Sequence, residues 1–219
     1  MYTLAFDTTA AACSVILLQD GKMLSRWSQA MEFGQAEVLI PQIKNILEAQ
    51  RLSFSNLGLL AVCTGPGSFT GVRASISAAR AFGLACPELQ VAGVSAFDAY
   101  LPELSCDEIA EKNLVVIETK REDFYYQIFD GGLKRLTPPA AGTREDILTQ
   151  LKGGRKVTII GDGTERFLMR PSGLSLHSIK MSEGIDVYNV ATCALQQYNN
   201  KKVNFPKPVY LRAPDVFVK

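Results

Sequence analysis

The stretch YTLAFDTTAAACSVILLQDGKMLSRWS, residues 2–28, carries the pattern that sets the expected fold. An apolar run ends at Asp7, a Thr-rich turn follows, and a second apolar run extends from Cys13 to Leu18. Asp20-Gly21 comes next, and this dipeptide readily adopts the positive φ angles of a tight hairpin turn. The stretch therefore predicts three antiparallel strands joined by short turns.

A second stretch, NLVVIETKREDFYYQIFDGGLKRLTP at residues 113–138, repeats this layout. Its first apolar run ends in a carboxylate, Glu118, and after a polar turn a strand is expected from Phe124 to Phe129. Asp130-Gly131 then predicts a turn into a third strand. The two halves share little residue identity, but the similar order of runs and turns indicates an internal duplication.

A helix and a further strand are predicted after each strand trio. After the first trio, apolar residues at helical spacing predict a helix from Gln35 to about Gln50, and a buried strand follows from Leu59 to Cys63. After the second trio, Thr143 is a suitable N-cap for a helix that ends near Leu151, ahead of a strand from Lys156 to Ile160. This order predicts an α/β fold.

The duplication predicts two domains, residues 1–104 and 105–219, with the break inside PELSCDEIAEK at residues 102–112. A last amphipathic helix, from about Asp186 to Tyr198, leads to KPVYLRAPDVFVK at residues 207–219, which its prolines hold extended. The pattern leaves open whether this last segment returns to the first domain.

Composition and charge exclude several classes of protein. The 23 Lys and Arg residues balance 22 Asp and Glu residues, so the strong basic charge of a stand-alone nucleic-acid binder is absent. The five cysteines are scattered and form no CxxC pair, which favours reduced thiols in a cytoplasm over a disulfide framework or a zinc site. No secretory leader or long apolar run is present, so we expect a cytoplasmic protein with no membrane contact.

A glycine-rich loop opens into a helix in CTGPGSFTGVRASISAARAFG, residues 63–83. It is not a Walker A loop because no lysine follows, and Thr70 stands where a dinucleotide fingerprint needs its third glycine. It is not a nucleophile elbow, since Pro66 and Thr70 flank Ser68 where glycines are required. His177 is the single histidine, which argues against a Ser-His-Asp hydrolase.

Close packing of backbones explains more residues of this loop and helix. Ala74, Ala78, Ala81 and Ala85 fall on one helix face, which is flat enough for another backbone to approach. Glycines in the loop permit turns and contacts that a Cβ would block. The spacing does not decide whether this face packs on the chain's own sheet or on another chain.

Three segments together resemble the TsaB (YeaZ) family of the bacterial tRNA threonylcarbamoyladenosine system. They are LAFDTTAAACSV at residues 4–15, GPGSFTGVR at residues 65–73 and PVYLR at residues 208–212, and the general layout agrees over nearly the whole chain. The resemblance implies the actin/sugar kinase/Hsp70 (ASKHA) superfamily fold with two ribonuclease-H-like domains. It also implies a non-catalytic subunit that pairs with a larger paralogue, TsaD, which transfers threonylcarbamoyl to the adenosine beside the tRNA anticodon.

The resemblance assigns two groups of candidate residues. Asp7, Thr8 and Thr9 occupy the place of the superfamily's first phosphate loop, and Glu118 to Asp123, including Lys120, that of the second. Glu118-Thr119-Lys120 departs from the family's Asp-Ala-Arg, and Glu122 replaces a glycine, so nucleotide binding is not expected. The expected interface residues are Gly65, Gly67, Ser68, Phe69, Thr70, Gly71, Arg73, Ala74, Ala78, Ala81 and Ala85.

Two hypotheses follow, from different classes of function. The first is a non-catalytic adaptor for the TsaD-like paralogue, joined by a TsaE-like ATPase. It forms a homodimer when alone, meets tRNA only through the complex and carries no cofactor or metal, whereas ATP and Mg²⁺ are used by the complex. The second is a nucleotide-dependent, kinase-like enzyme that uses Asp7 with Mg²⁺ and Glu118 as a base.

Overall fold

The computed structural model describes residues 1–179 and 184–212, so part of the predicted extended segment, residues 213–219, lies outside the described residues. Within the described ranges the chain divides into two compact units. The first comprises Met1–Pro102 and, beyond the gap, the residues up to Pro208, while the second begins at Glu103 and also includes residues 209–212.

Each unit opens with three consecutive strands, and helices and further strands follow. The strands are β1 (Tyr2–Asp7), β2 (Ala12–Gln19), β3 (Lys22–Ala30), β4 (Leu57–Cys63), β5 (Gln90–Val94), β6 (Lys112–Glu118), β7 (Phe124–Asp130), β8 (Ala140–Gly142), β9 (Val157–Ile160) and β10 (Leu176–Ser178). The helices are α1 (Gln35–Ala49), α2 (Phe69–Ala85), α3 (Ala96–Tyr100), α4 (Arg144–Leu151), α5 (Thr164–Leu168) and α6 (Val187–Asn199).

The first unit is built on a five-stranded sheet in the order β3-β2-β1-β4-β5. β1, β2 and β3 are antiparallel, as the opening stretch predicts, whereas β4 runs parallel to β1 and β5 parallel to β4. Alternate side chains such as Leu4 and Phe6 form a core with Leu39 and Ile43 of α1 and Ala79 of α2. On the other face of the sheet, α6 packs against β1, β4 and β5.

The second unit repeats this arrangement with the order β10-β9-β6-β7-β8. β6 and β7 are antiparallel, β7 and β8 are antiparallel, and β9 runs parallel to β6. β6 therefore occupies the central place in its sheet that β1 occupies in the first. The predicted α/β fold with two similarly built domains is confirmed at the level of strand order and direction.

The third strand of the second trio differs from the prediction. No strand follows directly after Asp130-Gly131, where a single bridge joins Phe129 to Arg135, and β8 begins only at Ala140. Pro138 and Pro139 lack the N–H groups that a continuous ladder requires. The side chain of Thr137 accepts the N–H of Ile128 at 3.0 Å instead.

Helix α4 has the predicted N-cap. The Thr143 side chain accepts the N–H of Asp146, and the Asp146 side chain accepts the N–H of Thr143, which completes a capping box. Four further elements, β5, α3, α5 and β10, are not predicted by the sequence pattern, and each is five residues or shorter.

Helix α6 groups with the first unit, although the division at residues 104 and 105 places it in the second half of the chain. The segment after α6 also lies on the first unit. The Asn204 carbonyl accepts the N–H of Gly93 at 2.7 Å, and the Arg80 guanidinium donates to the Pro206 carbonyl at 2.7 Å.

Candidate functional site: two loops at strand ends

The first candidate loop begins at Asp7, the last residue of β1. Its carboxylate is 4% exposed and accepts the N–H of Thr9 at 2.9 Å. Burial raises the pKa of Asp7 above its ordinary value, and the hydrogen bonds from Thr9 offset only part of this effect. Asp7 is therefore not a surface residue, because the sheet and the adjoining loops enclose the strand end.

The glycine-rich loop between β4 and α2 packs directly on this turn. The N–H of Ser68 donates to the Thr9 carbonyl at 2.7 Å, and the Thr8 hydroxyl donates to the Gly71 carbonyl at 2.7 Å. A Cβ on Gly71 would lie 1.9 Å from the Thr8 carbonyl oxygen, and one on Gly67 would lie 2.4 Å from that of Thr9. Both glycines thus permit a close approach inside this chain.

Helix α2 carries the other residues of the predicted interface. Ser68 is its N-cap, and the Arg73 guanidinium stacks 3.6 Å from the centre of the Phe69 ring. Ala78 is half-buried and packs against the core of its own unit. By exposure, the predicted residues sort into exposed (Ser68, Phe69, Thr70, Arg73, Ala81, Ala85), half-buried (Gly67, Ala74, Ala78) and buried (Gly65, Gly71).

Two exposed apolar side chains near these helices are absent from the predicted set. Phe33 precedes α1 and Leu84 lies in the last turn of α2, and each is 85% exposed. Ile40 of α1, which the helical spacing assigns to the buried face, is 46% exposed. A helical wheel of α2 separates Leu84 from the buried positions, so the sequence holds a signal for this residue.

The second candidate loop begins at Glu118, the last residue of β6. The Arg166 guanidinium of α5 holds this carboxylate with two hydrogen bonds, from Nε to Oε2 and from Nη2 to Oε1, each 2.7 Å long. This is the paired geometry in which arginine binds carboxylates and phosphates most strongly. Arg166 also lies over the Phe124 ring, 3.7 Å from its centre.

Backbone N–H groups at the start of this loop also have acceptors within the chain. Those of Thr119 and Lys120 donate to Oε1 of Glu118 at 2.8 and 2.7 Å. The N–H of Glu118 donates to Asp162 at 2.9 Å, and that of Arg121 donates to the Thr119 hydroxyl at 3.2 Å. Four consecutive N–H groups are therefore satisfied without a ligand.

The electrostatics of Glu118 follow from these contacts. Burial acts to raise its pKa, but the hydrogen bonds from Arg166 and from the N–H of Lys120 outweigh burial, so the pKa lies below its usual range. A carboxylate with a lowered pKa that is held by an arginine is a poor general base. Lys120 itself is exposed, with a left-handed backbone at φ 56°.

A further contact ties the third family segment to this loop. Arg212, the last residue of PVYLR, forms an ion pair with Asp123, and both side chains are largely buried. The Thr119 hydroxyl donates to the Asp123 carbonyl at 2.6 Å, so both the backbone and the side chain of Asp123 have partners.

Sequence reasoning missed Arg166 and Asp162 as partners of Glu118. The signal for Asp162 is the run Gly161-Asp162-Gly163 directly after strand β9, at the same edge of the sheet as the end of β6. A Cβ on Gly161 would lie 2.1 Å from the Val116 carbonyl oxygen, which explains that glycine. No comparable pattern marks Arg166.

Residues 1–179 and 184–212 contain neither a metal-ligand cluster nor a membrane-spanning helix. That part of the chain contains no group of three His, Cys, Asp or Glu side chains arranged to hold a metal ion. None of its helices combines the length and the apolar character that crossing a membrane requires.

Comparisons with known proteins agree with this architecture. A family model described as "TsaD: tRNA N6-adenosine threonylcarbamoyltransferase" matches residues 34–167, more than half of the chain. The Escherichia coli K12 protein called "tRNA threonylcarbamoyladenosine biosynthesis protein TsaB" is 28% identical over 97% of this chain and 95% of its own length. A Haemophilus influenzae protein with the same description is 32% identical over 56% of this chain and 51% of its own length.

Solved structures show the same fold. YeaZ from Pseudomonas aeruginosa superposes with a TM-score of 0.77 at 23% identity, covering 96% of this chain and 99% of its own. An inorganic polyphosphate/ATP-glucomannokinase from Arthrobacter has a TM-score of 0.51 at 10% identity, covering 89% of this chain and 99% of its own. These likenesses confirm the ASKHA superfamily fold, and with the family match and the curated relatives they show that the chain belongs to the TsaB (YeaZ) family, within the wider family that the TsaD model describes.

Proposed function

We propose that this chain is a non-catalytic adaptor subunit in the synthesis of threonylcarbamoyladenosine (t6A) in tRNA. In this role it holds a TsaD-type paralogue in an active arrangement, and a TsaE-type ATPase joins the complex. The chain meets tRNA only through that complex, which operates in the cytoplasm. It carries no cofactor of its own, whereas the complex uses ATP and Mg²⁺.

The contacts of Glu118 in the second loop are the main support for a non-catalytic role. A kinase-like ASKHA protein needs this loop to receive phosphates, yet Glu118 and Arg166 already pair there at 2.7 Å. In the first loop, Asp7 is buried and bonded to Thr9, which leaves it poorly placed to hold Mg²⁺. These contacts favour the adaptor over the kinase-like alternative.

The exposed surface of α1 and α2 supports the partner-binding part. Phe33, Ile40, Phe69 and Leu84 are exposed apolar side chains on or beside these two helices. Large apolar side chains that are exposed on a protein surface can mark a site where another protein binds. We propose that the TsaD-type paralogue covers this surface together with the exposed interface residues of α2.

Reconstitution tests the proposal. The TsaD-type and TsaE-type proteins, a source of the activated threonylcarbamoyl group, ATP with Mg²⁺ and unmodified tRNA are assayed for t6A with and without this chain. We expect t6A only when the chain is present and no ATP turnover by the chain alone. Equal t6A without the chain would refute the adaptor, whereas ATP turnover with Mg²⁺ by the isolated chain would favour the kinase-like alternative.

A further inference from the structure

The second loop contains the parts of an anion site. Consecutive backbone N–H groups in a turn form a concave positive surface that binds phosphates in many proteins. Here the N–H groups of Thr119 and Lys120 point to one acceptor, and Lys120 adopts the left-handed conformation that such turns require. The guanidinium of Arg166, which lies on α5, supplies the remaining N–H donors.

A nucleotide phosphate, which the fold family implies at this place, does not fit the loop as it stands. Oε1 of Glu118 accepts hydrogen bonds from Thr119, Lys120 and Arg166 at once, with lengths of 2.8, 2.7 and 2.7 Å. A phosphate oxygen would need these same donors, and its charge would be repelled by the carboxylate. The other neighbouring carboxylates accept from different donors, Asp162 from the N–H of Glu118 and Asp123 from Arg212.

We propose that the Glu118 carboxylate is a tethered substitute for a phosphate, which fills the anion site of Thr119, Lys120 and Arg166 and closes it to phosphate-bearing ligands. The site itself is intact, and one side chain blocks it. The inference concerns the isolated chain and does not depend on the proposed complex.

The test measures binding of inorganic pyrophosphate by the full chain with calorimetry, without divalent cations and at constant ionic strength. Glu118→Ala removes the internal anion and leaves its donors in place. We expect this variant to bind pyrophosphate at least about tenfold more tightly than the wild type, because several charge-assisted hydrogen bonds become available to the ligand. The wild type should show no saturable binding over the same range.

A second change identifies the site. Adding Arg166→Ala to Glu118→Ala should abolish the gain, since the strongest donor is then lost. Binding by Glu118→Ala that is no tighter than the wild type's, or a gain that survives in the double variant, would overturn the proposal.

If Glu118→Ala does not fold, the same binding measurement is made with Glu118→Gln. This change preserves the size of the side chain and removes its charge, so it should bind pyrophosphate more tightly than the wild type but less tightly than Glu118→Ala. Circular dichroism monitors folding. If neither single variant folds, the carboxylate is a requirement of the fold, and the proposal fails.

Discussion

Gly71 sets how closely the helix α2 can approach the turn after β1. Its backbone is helical with negative φ, so a conformation closed to other residues is not the reason for this glycine. The constraint is the Thr8 carbonyl, 1.9 Å from where a Cβ would lie. Even Gly71→Ala should therefore lower the free energy of unfolding, by about 3 kcal/mol, since backbone must move to make room.

Urea unfolding of Gly71→Ala and Gly58→Ala measures this effect against a matched control. A Cβ on Gly58 comes closest to Cγ and Sδ of Met1, at 2.6 and 2.8 Å, and Met1 is 39% exposed, so its flexible side chain can rotate away. We expect Gly58→Ala to cost less than about 1 kcal/mol. Equal losses for the two variants would contradict the role of the Thr8 contact.

Because burial raises the pKa of Asp7, this residue should make the free energy of unfolding depend on pH. Because its pKa is raised in the fold, the charged form is disfavoured there, so this group destabilises the native state at pH 7 and the penalty fades as pH falls through the raised pKa. Asp7→Asn removes the charge and keeps an acceptor for the N–H of Thr9. It should melt at or above the wild-type temperature at pH 7.

Melting curves at pH 7 and pH 4 check this expectation. The difference between Asp7→Asn and the wild type should shrink at the lower pH, because the raised pKa of Asp7 means that more of the wild-type carboxyl is protonated there. Asp7→Ala should melt below Asp7→Asn at both pH values, because the Thr9 N–H then loses its partner, a loss of about 1–3 kcal/mol. A constant gap between Asp7→Asn and the wild type would contradict the raised pKa.

The small residues of α2 lie on two different faces of the helix. Ala78 packs on the core of its own unit, whereas Ala81 is exposed. Ala78→Leu should overpack that core at about 1–3 kcal/mol and lower the melting temperature by about 2–4 °C per kcal/mol, while Ala81→Leu should leave it nearly unchanged. Differential scanning calorimetry of both variants decides, and equal melting temperatures would place Ala78 outside the core.

The elements that the sequence predicts well are those with a local pattern. Strands β1 to β3 follow from alternating apolar runs and Asp20-Gly21, and α4 follows from Thr143 and Asp146, whose capping box depends only on residues close in sequence. Strand β8 could not be placed in this way, because Thr137 takes part in the pairing of β7 and the prolines delay the next strand.

The candidate sites depend on contacts between distant residues, which local patterns do not contain. The glycines of the loop indicate close packing, but their partners, Thr8 and Thr9, lie more than fifty residues earlier. Glu118 could be selected as a strand-end carboxylate, yet its role follows from Arg166, which only the folded chain brings near. Similarly, the burial of Asp7 follows from the neighbouring strand and loop.

For the whole molecule, the exposed apolar surface predicts self-association. The free protein should be a homodimer through the exposed side of α2, which includes Leu84, since exposed apolar area on a chain of net charge +1 favours association. Light scattering at micromolar concentration should give about twice the chain mass of 23.9 kDa. Leu84→Asp should reduce this to the monomer mass, and a wild type that is already monomeric would refute the prediction.

Co-purification of the tagged chain from its native cells tests most directly the claim that this protein is an adaptor that binds through α1 and α2. Leu84→Asp is compared with Leu136→Asp, because both leucines are exposed, at 85% and 52%, but Leu136 lies in the second unit. The account predicts that wild type and Leu136→Asp retain a TsaD-type partner, whereas Leu84→Asp loses it at least about tenfold, as expected for a charge placed in an apolar interface. Absence of that partner from the wild-type sample, or equal recovery with the two variants, would contradict it.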